Sequence, residues 1–510
     1  MGSVYSVLAS SARSINIVIG MLINDMFGTD VTNNMNGNGN EYQPLNQVIG
    51  AVNINKTPIK HVVLLMLENR SLDQVFGYRF NYPKPFTVNG DLTNYNLDID
   101  GNKIYQSSMT AFTAEDDATH DLDATLFSIN GGSYISNSDQ NDISICDKMG
   151  GFVISNQLKT KSLDNAEHTD PIDPREIMGY FPAGSFPVYE YIADNFTICD
   201  QWYASLPSCT LPNRAFGLCA SSDGHINNRC RGDRQRIVYK CPTIFDHLND
   251  AKLPWKVYYN DTPLSIMLEH QLTPKNIRNY DHFEQFSKDC ENNTLPAFSF
   301  IEPEYGIESS LKKIDGVANG QNIVFDIIKS LQKNKEVYND TLFVCYYDES
   351  GGFYDHVYPP PAPKPNDEGS NHSKEYTFDQ YGLRVPALIV SPRVPAGVSS
   401  TLYDHTSVLS FIAYNWGLPY LTDRDRYANN LTDLLQNSVL REDIPNIPDN
   451  LREIDPSNST TIRNRSMDVF FFKELVEKSF FGVLADCSDM ICNENAKLHS
   501  LISKLTQKFK

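Results

Sequence analysis

Two apolar runs in this chain end on neighbouring oxygen-bearing side chains. The run "HVVLLML" (61–67) passes into "ENRS", which places Glu68 beside Asn69. The run "TLFVCYY" (341–347) passes into "DESGG", which places Asp348 beside Glu349. A turn needs one side-chain acceptor, not two carboxylates. Acids crowded at one sheet edge repel each other unless positive charge lies between them. Glu68, Asn69, Asp348 and Glu349 together make the oxygen-rich donor set that a hard or borderline divalent cation takes. Oxygen ligands alone do not choose among such ions, so the metal's identity stays open. Each pair by itself also fits a structural role, opening or capping a helix. That both pairs follow buried-strand patterns favours the ion.

A cation so placed needs a reaction to serve. The segment "YASLPSCTLPNRAFGLCASSDG" (203–224) offers a hydroxyl. Thr210 stands two residues before Pro212, and "NRAFGLCA" continues as a helical pattern, so Thr210 falls at a helix start. Unpaired N–H groups at such a start point at a phosphate. A threonine hydroxyl becomes nucleophilic when its proton is removed, and a bound metal promotes that. Asn213 and Arg214 read as donors to phosphate oxygens. The competing reading of Thr210 is a plain N-cap.

These residues need elements to bring them together. Continuous apolar runs at 61–67, 255–259, 297–301, 341–347 and 386–390 suit strands buried on both faces. Between them lie helical patterns, such as 320–334, where Ile323, Phe325, Ile327, Ile328 and Leu331 fall largely on one face. Buried strands alternating with helices predict an α/β fold, a mostly parallel sheet covered on both sides. In such folds the functional crevice lies at the carboxyl ends of the strands, where both carboxylate pairs fall. The proline-rich stretch 359–376 leaves the sheet just after the second pair and reads as a loop over the site. Asn/Gly-rich residues 28–48 read as a linker. Leu498, Leu501, Ile502, Leu505 and Phe509 predict a packed C-terminal helix over 496–509. The organisation expected is an N-terminal segment and linker (1–54), a catalytic domain (55–435) and a C-terminal helical extension (436–510).

The formal net charge is -20, which argues against nucleic acid or an anionic membrane surface as a general partner. No apolar run reaches the roughly 18 residues of a membrane helix. Ten cysteines in 510 residues do not make a disulfide scaffold. Cys230/Cys241 and Cys487/Cys492 are close enough in sequence to pair in an oxidising compartment, with buried free thiols as the other reading. Apolar residues 15–23 behind Arg13, and sequons at Asn260, Asn292 and Asn430, fit the secretory route. The start "MGSVYS" offers an alternative, a cytoplasmic protein anchored by N-myristoylation at Gly2. Nothing in the sequence decides oligomeric state.

At this point the chain resembles the phosphoesterase family of non-specific phospholipases C and bacterial acid phosphatase A, a branch of the alkaline phosphatase superfamily. The resemblance rests on "HVVLLMLENRSLDQVFG", "DATHDLDA", "MGGFV", "PSCTLPNRAF", "TIFDHL", "LPAFSFIEPEY", "YYDESGGFYDHVYPP" and "GLRVPALIVSPRV" followed by "YDHTSVL". They occur in the family's order over roughly residues 58–435. It implies a three-layer α/β/α sandwich of alkaline-phosphatase type. It implies that Glu68 and Asn69, with Asp348 and Glu349, hold the metal, and that Thr210 forms a covalent phospho-enzyme. It places His120 near the phosphate, gives His405 an active-site role, and puts Asp355 and His356 behind the ligands, fixing them. The expected partner is a phosphate-ester substrate, a phospholipid at a membrane surface or a soluble phosphomonoester.

One interval departs from the family. A histidine-containing stretch is usual between "IEP" and "YDE", but here no histidine occurs from Phe283 to Asp355. Lys312 or Lys313 would have to supply the charge for the developing oxyanion. The loss also leaves room for a catalytically weak or inactive binding glycoprotein on the same scaffold. A serine hydrolase of another α/β type is excluded by the absence of a G-x-S-x-G elbow.

Overall fold

The structure is a computed structural model that describes residues 55–79, 94–108, 118–131, 147–162, 173–228, 239–260, 263–304, 314–373, 376–435 and 439–452. Gly2, the apolar N-terminal stretch, Lys312, Lys313, Cys230, Cys487, Cys492 and the helix expected at 496–509 lie outside the described residues.

The apolar runs become the centre of one eight-stranded sheet. Its strands are β1 (His61–Leu67), β2 (Thr197–Cys199), β3 (Trp255–Tyr259), β4 (Tyr280–His282), β5 (Phe298–Glu302), β6 (Thr341–Tyr347), β7 (Ala387–Val390) and β8 (Gly397–Ser399). Across the sheet they run β8-β2-β7-β6-β1-β5-β3-β4. β1 sits between β5 and β6 and is parallel to both; Met66 pairs with Tyr346 and Leu67 with Tyr347. β7 alone runs against its neighbours β6 and β2. The reason is local. After β6 the chain stays at the carboxyl end of the sheet through the proline-rich loop, so β7 starts from the end where β6 stopped.

Period-two alternation divides the covering helices between the two faces. On one face, Met66 and Tyr346 meet α4 (Thr210–Cys219), where a β-carbon on Gly217 would fall 2.5 Å from Met66 Cε and 2.7 Å from the Tyr346 hydroxyl. On the other, the Tyr347 hydroxyl lies 2.9 Å from that of Tyr189 on α3 (Pro187–Asn195). Leu67 and Tyr347 there approach Gly320 of α5 (Ile314–Gln332). The result is the expected three-layer α/β/α sandwich. Residues 439–452 lie along the same body, with Ile447 buried and its N–H on Gln332 Oε1.

Candidate active site

The site grows out of three strand exits at one end of the sheet. After β1, Ser71 N-caps the short helix α1 (Leu72–Phe76), its side chain accepting from the Gln74 N–H. Glu68 and Asn69 therefore lie outside that helix and cap nothing. Asn69 takes a left-handed conformation (φ +66°), which asparagine tolerates better than most residues. Its N–H donates to Asp348 Oδ1 at 3.2 Å, and the Arg70 N–H donates to the Glu349 carbonyl at 2.9 Å. The β1 and β6 exits are thus laced together.

The two glycines after Glu349 explain how the exits fit. Gly351 and Gly352 both have positive φ. A β-carbon on Gly351 would fall 2.6 Å from the Asn69 carbonyl oxygen, and one on Gly352 would fall 2.5 Å from that of Thr119. One glycine lets the β1 arm close in, and the next admits the loop that carries His120. His120 is fixed by Nδ1 donating to the Ala118 carbonyl at 2.7 Å, and its Nε2 lies 3.9 Å from Glu349 Oε1. Asp121, next in the chain, caps α2 (Leu122–Asn130).

The third exit, after β2, leads to α4. Thr210 is its first residue; the cap position is Cys209, which makes no side-chain capping bond. Thr210 is therefore not an N-cap, and among the described residues nothing bonds its hydroxyl, although it is only 2% exposed. One turn along, Arg214 spans the acids, with Nε 3.1 Å from Asp348 Oδ2 and Nη2 3.5 Å from Glu68 Oε1. Arg214 Nη2 also donates to the Met66 carbonyl at 3.2 Å. The helix that begins with Thr210 is thereby anchored on both carboxylate arms. At the helix start the Leu211 N–H is taken by Asn228 Oδ1 at 2.9 Å and Pro212 has none.

Glu68, Asn69, Asp348 and Glu349 are all buried. Burial pushes the Asp348 carboxyl above the usual carboxylate range, against the opposing pull of Arg214 and two backbone N–H groups. Asn69 Oδ1 is buried with no hydrogen-bond partner among the described residues. An amide oxygen left open among buried carboxylates fits a divalent cation by donor chemistry.

Two expected roles are corrected. Asn213 is no phosphate donor: its amide is spent on the loop before Thr210, accepting from the Leu206 N–H at 2.9 Å and donating to the carbonyls of Leu206, Ser208 and Cys209. It pins the loop that leads to Thr210. Arg214 Nε and Nη2 are engaged by Asp348, Glu68 and the Met66 carbonyl. His405 is fully buried, with Nε2 on the Asp348 carbonyl at 2.7 Å and Nδ1 accepting from Trp202 Nε1 at 3.3 Å. Its ring stacks on Tyr346, with centroids 4.4 Å apart. Burial pushes its pKa down to about 3, the Asp348 carbonyl opposing and Arg214 adding to the shift. With both nitrogens engaged it is a strut beneath Asp348, not a proton donor to substrate.

The proline-rich loop is tied down as well: Arg424 donates to the carbonyls of Pro363 and Phe378, and Ser221 donates to Asp367. The six described cysteines, Cys241 among them, are free and buried. Asp355 and His356 join Asp73 and Arg384, which the sequence reading passed over. A signal was present, since an arginine just before a buried strand must find a partner.

The fold is a three-layer α/β sandwich that carries acids, an amide and a helix-start hydroxyl where its strands end. The model of the phosphoesterase family matches residues 59–419, and the chain belongs to that family; it is a phosphoric ester hydrolase. It is 28% identical over 426 residues to non-specific phospholipase C3 of Arabidopsis thaliana, covering 76% of each chain. It is 30% identical over 433 residues to non-specific phospholipase C6 of the same plant, covering 79% of this chain and 77% of the relative. Identity to phospholipase C A of Mycobacterium tuberculosis is 30% over 404 residues, 71% of this chain and 74% of the relative. The non-catalytic alternative finds no support among these relatives.

Proposed function

We propose that the protein is a phospholipase C that cleaves phospholipid esters through a phospho-threonine at position 210. The observation that carries this reading is the reach of Arg214, which joins the helix headed by Thr210 to Asp348 and Glu68. The relatives' names supply the substrate class, a glycerophospholipid cut on the glycerol side of phosphorus.

Glu68, Asn69 Oδ1, Asp348 and Glu349 would hold one divalent ion, which supplies positive charge to the phosphate and lowers the pKa of the threonine hydroxyl. Thr210 Oγ1, as the alkoxide left when its proton passes to solvent, attacks phosphorus; its bond to phosphorus forms, the bond to the diacylglycerol oxygen breaks, and the alkoxide is regenerated when water cleaves the phospho-threonine. The Thr210 N–H and the positive end of α4 receive the charge on the phosphoryl oxygens. His120, its Nδ1 fixed on a carbonyl, presents Nε2 to give a proton to the leaving alkoxide. In the second step the same nitrogen takes a proton from water, which cleaves the phospho-threonine and releases the phosphorylated head group.

The test is an acid quench during turnover of phosphatidylcholine vesicles, followed by peptide mapping. A phosphate on Thr210 is expected. A quench that traps no phospho-peptide, with turnover proceeding, would dismiss the covalent step. A small chromogenic phosphomonoester run in parallel separates a lipase from a phosphatase.

A further inference from the structure

Among the described residues a knot of charge outside the site joins buried Asp73, Asp355 and Arg384 with half-buried His356. The Arg384 guanidinium is 1% exposed and its bonds are all internal. Nε and Nη2 grip the Asp355 carboxylate at 3.0 and 3.1 Å, and Nη2 reaches Asp73 Oδ1 at 3.0 Å. Nη1 donates to the Asp200 carbonyl at 3.1 Å. Asp73 Oδ2 takes the remaining donors, the His356 N–H at 2.9 Å and its Nδ1 at 2.7 Å.

The partners belong to different strand exits. Asp73 lies five residues beyond Glu68 on the β1 arm, and Asp355 lies seven beyond Asp348 on the β6 arm. Asp200 directly follows β2, on the path to Thr210. Further ties close the same gap: the Leu72 N–H on the Arg384 carbonyl at 3.1 Å, and Ser71 Oγ on the Tyr354 carbonyl at 2.7 Å. Arg384 itself reaches this end because β7 runs backwards, so the residues before it sit where β6 ends.

We infer that Arg384, with Asp73 and Asp355, is a positioning device that sets the separation of the two ligand-bearing arms without touching the ion. The inference rests on the proposed function, since the arms matter as a pair only if they share an ion. A guanidinium holds two carboxylates at fixed angles as well as fixed distance. From that clamp to Glu68 and to Asp348 the chain is short and buried, so a change at the clamp moves the donor set. Among the described residues Asp73, Asp355 and His356 have ligand atoms within 4.8 Å of one another, a spacing that Glu68, Asp348 and Glu349 do not share. That invites the opposite reading, an ion on the knot itself, but the Arg384 guanidinium already supplies the cationic partner there.

Calorimetric titration decides, with manganese, zinc and calcium chlorides added in turn to the chelator-treated full chain. Wild type is compared with Asp73→Asn, Arg384→Lys and Glu68→Gln. For whichever ion wild type binds, Asp73→Asn and Arg384→Lys should weaken affinity roughly 10- to 100-fold. kcat should fall alongside at an unchanged KM, with unchanged circular dichroism, while Glu68→Gln abolishes binding. Wild-type ion affinity and kcat in Asp73→Asn would reduce the knot to a brace and overturn the inference. Binding that survives Glu68→Gln but not Asp73→Asn would put the ion on the knot, and overturn it differently. If wild type binds none of the three ions, the proposed metal site fails first and this inference falls with it. Should Arg384→Lys not fold, the isosteric Asp73→Asn carries the decision.

Discussion

Two buried clusters at the carboxyl end of the sheet use the same residue types and differ in what they leave open. In the Asp73–Asp355–His356–Arg384 knot every carboxylate oxygen has a partner: Arg384 on three of them, His356 on the fourth. In the Glu68–Asn69–Asp348–Glu349 cluster Arg214 spans two acids, yet Asn69 Oδ1 is buried with no partner among the described residues. Burying a polar group unpaired costs about 1–3 kcal/mol, so a fold retains such groups where a ligand will satisfy them. The knot shows that this chain can neutralise adjacent acids with its own side chains when structure is the purpose. The proposed ion would account for that difference.

The sharpest way to break this contrast is at the open side. Thr210→Ala should lower kcat on the order of 10⁴-fold or more, as loss of a nucleophile does. Circular dichroism should not change, since the hydroxyl holds no described bond. Wild-type turnover in that variant would mean the open hydroxyl is incidental. Asp348→Asn comes next, with kcat falling about 10²- to 10³-fold from lost charge at the transition state. Chelation of wild type should mimic it, and re-addition of a divalent ion should restore wild type but not the variant. Chelator-resistant turnover would equate the two clusters as structure.

The contrast was only half legible in the sequence. β1, β3 and β6 fall where the apolar runs do, because a strand buried on both faces needs an uninterrupted run. β2, β4 and β8 are three residues each, too short for any period to register. The reversal of β7 follows from a loop that stays at one end, which no residue pattern reports. In the site, the four ion donors and Thr210 stood out because adjacent oxygen donors and a helix-start hydroxyl are unusual local features. The roles of Asn213, His405 and Arg384 did not, since each depends on which atoms its side chain reaches. Asn213 turns back on its own loop, His405 is sealed beneath Asp348, and Arg384 meets Asp73, 311 positions away.

Asn213 supplies a middle-sized test, because it is structural within the functional cluster. Asn213→Ala strips one acceptor and two donor protons from four backbone groups of the loop before Thr210. Stability should drop by about 2–3 kcal/mol, and kcat by roughly 10-fold as the hydroxyl loses its fixed approach. Thermal melts and steady-state kinetics read the two effects separately. A stability loss with kcat intact would show that Thr210 is held by α4 alone.

The smallest effect belongs to the filled side, and its sign follows from His356. Burial opposes the charged imidazole, but the hydrogen bond and charge of Asp73 outweigh it and raise the His356 pKa above its ordinary 6.5. A folded-state pKa above the unfolded value means the native state holds a proton that the unfolded chain releases first. That contribution is fully present below pH 6.5 and is lost as pH climbs through the folded value. One group titrating alone limits the slope to about 1.4 kcal/mol per pH unit. Thermal midpoints between pH 6 and 9 should therefore fall less steeply in His356→Gln than in wild type, with kcat near neutral pH little changed. Parallel slopes would mean that the Asp73–His356 pair adds nothing pH-dependent, and that Arg384 by itself neutralises the knot.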